Sequence, residues 1–198
     1  HVAGTIISAG LNPELRGMAP QATLNSFRFD NDAEEMFFEA QQGMLISNHS
    51  YGTLVDEDTD LNYFGKYEEA ASTFDFITYA YPFYLPVVSA GNDRGSGLNA
   101  RKRGYDLLTD RTLAKNVLTV GAVDVLTNYQ DPSSVIMSSF SSFGPTDDGR
   151  IKPDLVAKGV GVLSLSGNND EGFSIKNGTS MSAPMVTGGL ILLHQLNQ

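Results

Sequence analysis

Ala70-Ala71-Ser72-Thr73-Phe74-Asp75-Phe76-Ile77-Thr78-Tyr79-Ala80-Tyr81, then Pro82, then Leu85-Pro86-Val87-Val88-Ser89-Ala90-Gly91-Asn92, is the stretch whose reading decides the fold. Residues 70–81 have helical character and stop before Pro82, because a proline disfavours helical backbone at the residue ahead of it. Leu85 to Ala90 is a short apolar run of strand length, with Pro86 near its start. A helix leading into a buried strand is one unit of a parallel sheet.

The same alternation extends outward. Met44-Leu45-Ile46-Ser47 reads as another short buried strand. Before it, Asp32 and Glu35 stand three apart like a capping box, ahead of Met36, Phe37, Phe38 and Ala40, with Gly43 as the stop. Ala22 to Phe29 reads as a strand, and Val2, Ala3, Ile6 and Ile7 recur at helical spacing before Gly10. Residues 53–63 are polar and acidic and read as a loop; 91–114 reads as a long surface excursion. Val117 to Val123 and Val160 to Ser164 are strand-like. Met181 to Leu196 closes the chain as a helix, with Pro184 expected in its first turn. The pattern predicts one α/β domain over residues 1–198, a mostly parallel sheet with helices on both faces. In such sheets the site lies beyond the carboxyl ends of the strands.

Composition narrows the function. Against 13 Lys+Arg stand 23 Asp+Glu, a net charge of −10. That balance argues against a nucleic-acid or anionic-membrane surface, which needs clustered cations. The absence of Cys removes a thiolate nucleophile and a disulfide scaffold. No apolar run reaches the roughly 18 residues of a membrane span. The chain opens on His1 rather than Met, so its N-terminus reads as a cut or processed end.

Two residues past expected strand and turn ends draw attention. Ser180 stands at a helix start after a glycine-containing turn, where unpaired N–H groups and the positive dipole end would stabilise an anion forming beside its hydroxyl. The plain alternative is an N-cap. Asn92 follows a strand and Gly91, so its amide can donate to a developing oxyanion; the plain alternative is an Asx turn.

Longer segments carry a resemblance. Gly178-Thr179-Ser180-Met181-Ser182-Ala183-Pro184 resembles the nucleophile block of the subtilisin-like serine proteases, and Ala90-Gly91-Asn92 their oxyanion-asparagine block. Val2-Ala3-Gly4-Thr5, Gly17-Met18-Ala19-Pro20, Val120-Gly121-Ala122-Val123, Ser139 to Gly144 and Lys152-Pro153-Asp154 are similar to further family segments, in the family's order. The resemblance implies a subtilisin-like fold that lacks the N-terminal strands of the full domain. It also implies a serine endopeptidase acting on polypeptides through an Asp-His-Ser mechanism, with Ser180 as nucleophile and Asn92 as oxyanion donor. By the same resemblance the substrate lies along Ser50, Tyr51 and Gly52 on one side and Ser89, Ala90 and Gly91 on the other. Secretion or a cell-envelope location is a family expectation. No cofactor is implied, with calcium as an occasional structural ion.

Against the family pattern His1 matches a second, non-catalytic histidine, so the base and the orienting Asp would precede the chain, and the chain alone is expected to be inactive. A non-catalytic peptide-binding or scaffold member of the same fold is the alternative. His49 and His194 are the other histidines. His194 lies fourteen residues along a helix from Ser180, about 21 Å, beyond hydrogen-bond reach; His49 reads as a structural histidine. Asp56, Asp58 and Asp60 alternate as in a calcium loop, but Leu61 and Tyr67 stand where Gly and Glu are needed, so a solvated loop is expected. Arg101-Lys102-Arg103 reads as a solvated basic turn. The resemblance also puts a missing strand between 22–29 and 44–48. These two are expected to pair directly, or the open edge to borrow a strand in an oligomer.

Overall fold

Burial of Val88 on one face of a strand and Val87 on the other gives the molecule its layers. In the computed structural model, which describes residues 1–169 and 171–197, both side chains are fully buried. The strand is β2 (Leu85–Ser89), flanked by β1 (Ile46–His49) and β3 (Leu118–Val123), with β4 (Leu155–Lys158) beyond. The four pair in the order β1-β2-β3-β4, all parallel, with Asn48 opposite Val87 and Ser89 opposite Val120. Val88 packs with Ala71, Phe74 and Ile77 of α3 (Glu69–Ala80) and Met36 and Ala40 of α2 (Asp32–Gln41). Val87 and Val120 pack on Ala183 of α4 (Thr179–Leu196). Helices therefore cover both faces, as the alternation predicts. Among the described residues no helix is long and apolar enough to cross a membrane.

Some expectations are corrected. Residues 22–28 form no strand; they are largely exposed, and Phe29–Asn31 is a turn of 3-10 helix. This run faces β1 across a cleft of about 930 Å³ that both line, so the two segments stay apart and β1 is the outer strand of its sheet. An aromatic run without a neighbour to pair with has no ladder to join. The Asp32–Glu35 capping box is absent: Asn31 is the cap residue, and the Asp32 carboxylate accepts from Tyr51 instead. Val162–Leu165 is β5, but it pairs antiparallel with Phe173–Lys176 (β6) in a separate two-stranded sheet. Pro184 is the sixth residue of α4, in its second turn, so the Ser180 carbonyl loses the N–H it would otherwise meet. Asp56 and Asp60 accept from Asp58 and Asn62 N–H in local turns.

One contact carries the sheet's register into the start of α4. Gly159, just past β4, donates to Val123 C=O at 3.0 Å and accepts from Gly178 N–H at 2.8 Å. A Cβ there would lie 2.5 Å from Ala122 Cβ and 2.9 Å from Gly178 O. Gly159→Ala is expected to cost about 1–3 kcal/mol through overpacking, read as a lower denaturation midpoint. An unchanged midpoint would show that the turn gives way freely.

Candidate active site

Gly178 caps α4 with φ +145°, a backbone shape that favours glycine, and brings Thr179 in as the first helical residue. Thr179 is fully buried and ties the helix start to the loop after β2. Its N–H donates to Asn92 Oδ1 at 2.9 Å and its hydroxyl donates to the same oxygen at 3.1 Å, while Gly91 N–H donates to that hydroxyl at 3.1 Å. A backbone N–H can only donate, so this contact fixes which end of the Asn92 amide faces Thr179. Oδ1 is engaged twice, and the Nδ2 donor is turned the other way.

Ser180 is the next residue, half-buried in the first turn, where N–H groups lack intrahelical carbonyls. Its hydroxyl donates to Ser50 C=O at 3.2 Å. Three distant stretches (Ser50–Gly52, Gly91–Asn92 and Thr179–Ser180) thus meet at the carboxyl end of the sheet. Ser89 and Ala90 are buried beneath them, Gly91 is half-buried with φ +102°, and Gly52 is exposed with no atom within 4 Å of where a Cβ would stand. A hydroxyl at a helix start beside an oriented amide is half of an acyl-transfer site; a base is the other half.

Among the described residues, neither His1 nor His49 is hydrogen-bonded to Ser180. His1 Nε2 lies 3.1 Å from Val162 O and 3.2 Å from Ser174 O, so this residue joins α1 (Val2–Ile7) to the small sheet. His194 lies on the same unbroken helix as Ser180, fourteen residues on. His49 is buried, and both of its ring nitrogens are engaged elsewhere. Nε2 lies 2.7 Å from Ser47 Oγ and Nδ1 2.7 Å from Tyr51 Oη.

The proton order in that cluster follows from its end. The Asp32 carboxylate accepts from Tyr51 at 3.0 Å, so Tyr51 Oη accepts from His49 Nδ1–H. His49 Nε2 then accepts from Ser47 Oγ, which accepts from Tyr84 Oη at 2.6 Å. The Ser47–His49 pair has the spacing of an activated nucleophile, yet its chemistry differs. A neutral phenol, not a carboxylate, faces Nδ1. Burial, reinforced by the nearby Arg111 charge, pushes the His49 imidazole down to about 3. Taking the Ser47 proton would create a cation there, which the site resists.

That shift has a stability consequence. The unfolded chain binds a proton at His49 below about pH 6.5 and the folded chain does not until about pH 3, so stability is lost as pH falls through this window. From pH 6.5 to 4.5 the loss from this residue is on the order of 2–3 kcal/mol. Denaturation curves for His49→Gln should fall less steeply with acid than those of the parent chain; parallel curves would refute the assignment.

Sequence reasoning named Ser180, Asn92 and Ser50–Gly52 but missed Thr179, which holds them together. The signal was present, since Thr179 sits inside the quoted nucleophile block.

The Subtilase family model matches residues 1–198. The serine protease AprX of Bacillus subtilis (strain 168) is 26% identical over 229 residues, covering 100% of this chain and 48% of AprX. Subtilisin DY of Bacillus licheniformis is 27% identical over 193 residues, covering 98% of this chain and 61% of that protein. The chain thus spans about half to three fifths of the length of these relatives. Among solved structures, the prenylagaramide maturation protease PagA superposes with a TM-score of 0.67 at 22% identity, over 99% of this chain and 63% of PagA, a likeness of fold. With every residue falling inside the family match and the fold shared with a solved protease, the chain belongs to the subtilase family.

Proposed function

We propose that this chain is the nucleophile-bearing part of a serine endopeptidase domain, with the general base and its orienting Asp supplied by residues ahead of His1. Ser180 Oγ attacks the peptide carbonyl and passes its proton to that base, which hands it to the departing amine as the peptide C–N bond breaks and leaves the acyl group on Ser180. The oxyanion is held by Asn92 Nδ2 and the Ser180 N–H, and water then releases the acyl group. No cofactor takes part in this chemistry. The observation that carries the reading is the pair of hydrogen bonds from Thr179, the residue next to Ser180, to Asn92 Oδ1, which leaves the Nδ2 donor of the amide for another acceptor.

The polypeptide substrate adds as an extended strand between Ser50–Gly52 and Ser89–Gly91, held by main-chain hydrogen bonds. The cleft beside β1 takes a further strand of the intact domain; in the isolated chain that open edge pairs with a second copy. Secretion or display at the cell envelope is the setting. The reading is tested by assaying peptide hydrolysis with and without the preceding segment. Turnover that needs the segment supports it. Hydrolysis by the 198-residue chain alone, lost on Ser180→Ala, would overturn the assignment of base and orienting Asp to preceding residues.

A further inference from the structure

The segment that meets Ser180 is gripped from behind by two consecutive residues of one short turn. Asp110 and Arg111 open the 3-10 turn Asp110–Leu113, which Leu113 anchors in the core with no exposed surface. Asp110 Oδ2 accepts the Thr53 N–H at 3.0 Å, and Oδ1 accepts the Tyr63 hydroxyl at 2.5 Å. Arg111 acts on the side chain of the same segment. Its guanidinium lies 4.7 Å from the Tyr51 ring centroid and pairs with Asp32 at 3.3 Å, and Asp32 takes the Tyr51 hydroxyl. Phe29 packs tilted against the Tyr51 ring, 5.5 Å between centroids. Upstream the strand ladder holds His49 opposite Val88. Between these two clamps lie only Ser50, Tyr51 and Gly52.

We infer that Asp110 and Arg111 are positioning residues that hold Ser50–Gly52 in the extended form receiving the peptide backbone, and so set affinity for extended substrates rather than the rate of bond cleavage. The inference rests on the proposed peptidase reading for its substrate. An edge that must order on binding charges that ordering against affinity, whereas a pre-ordered edge does not. The turn can supply this order because it is fastened to the core, and because Asp110 stands at φ +53°, where only glycine and the Asn/Asp pair sit comfortably.

That backbone shape selects the variants. Asp110→Gly keeps the turn and removes the acceptor; Asp110→Asn keeps both the turn and an oxygen for Thr53. In the protein with its complete catalytic set, Asp110→Gly is expected to raise KM for an extended peptide about tenfold, with kcat and the hydrolysis of a small ester held. Asp110→Asn should restore KM, and Arg111→Met should raise it as Asp110→Gly does. Affinity for the same peptide, measured with Ser180→Ala in the background, should weaken by the same factor. If Ser180→Ala still cleaves, the peptidase reading falls while the affinity measurement still judges Asp110. The positioning role is overturned if kcat and KM worsen together on both substrates, or if peptide affinity is the same with and without Asp110→Gly.

Discussion

Ser180→Ala, in the protein with its complete catalytic set, is expected to lower turnover about 10⁶-fold, the size of the effect in subtilisin itself and adopted from it. The expectation rests on the lack of a substitute. Ser182 is fully buried and donates to Thr179 C=O, and Ser47 donates to an imidazole that stays neutral to about pH 3. Ser50 lends its carbonyl to Ser180, but its own hydroxyl accepts from the Asn48 amide. With Ser180 gone, only the oxyanion donors and substrate binding would act, and these leave a small residual rate. Steady-state hydrolysis of a peptide checks it; a fall of tenfold or less would mean another nucleophile does the chemistry.

Asn92→Ala is expected to lower kcat by about 10²–10³ with KM held, again the magnitude found for the subtilisin asparagine. The structure adds a complication. Asn92 also accepts the Thr179 N–H, so alanine removes a helix-start acceptor as well as a donor, at about 1 kcal/mol of stability. Asn92→Asp separates the two roles, because one carboxylate oxygen still receives Thr179 while the other stands where Nδ2 was. That variant should keep the helix start intact and lose at least as much turnover as alanine, since it presents a negative charge to a forming anion. A changed KM at unchanged kcat in either variant would remove Asn92 from the oxyanion site.

Much of this architecture could be read in the amino acids, for identifiable reasons. α3 and β2 were legible because Ala71, Phe74 and Ile77 recur at helical spacing and Val87-Val88 is buried on both faces. β4 and β6 were not, because they are short and partly exposed: Leu155 and Val156 keep 38% of their surface and Ile175 68%. Phe27 and Phe29 made 22–29 look like a strand, yet a strand exists only where a neighbour pairs with it. Ser180 and Asn92 stood out by their local positions, but their roles came from the resemblance of the blocks 178–184 and 90–92. Their meeting through Thr179, and the chain from Tyr84 through Ser47, His49 and Tyr51 to Asp32 and Arg111, depend on residues up to 88 apart and have no local signature.

The most direct test is to treat the protein with its complete catalytic set with a fluorophosphonate, which phosphonylates an activated serine hydroxyl with loss of fluoride, and to locate the adduct by peptide mass mapping. The account predicts a single adduct on Ser180, formed more slowly in Asn92→Ala and absent in Ser180→Ala. An adduct on Ser47, or inactivation that leaves Ser180 unmodified, would contradict it.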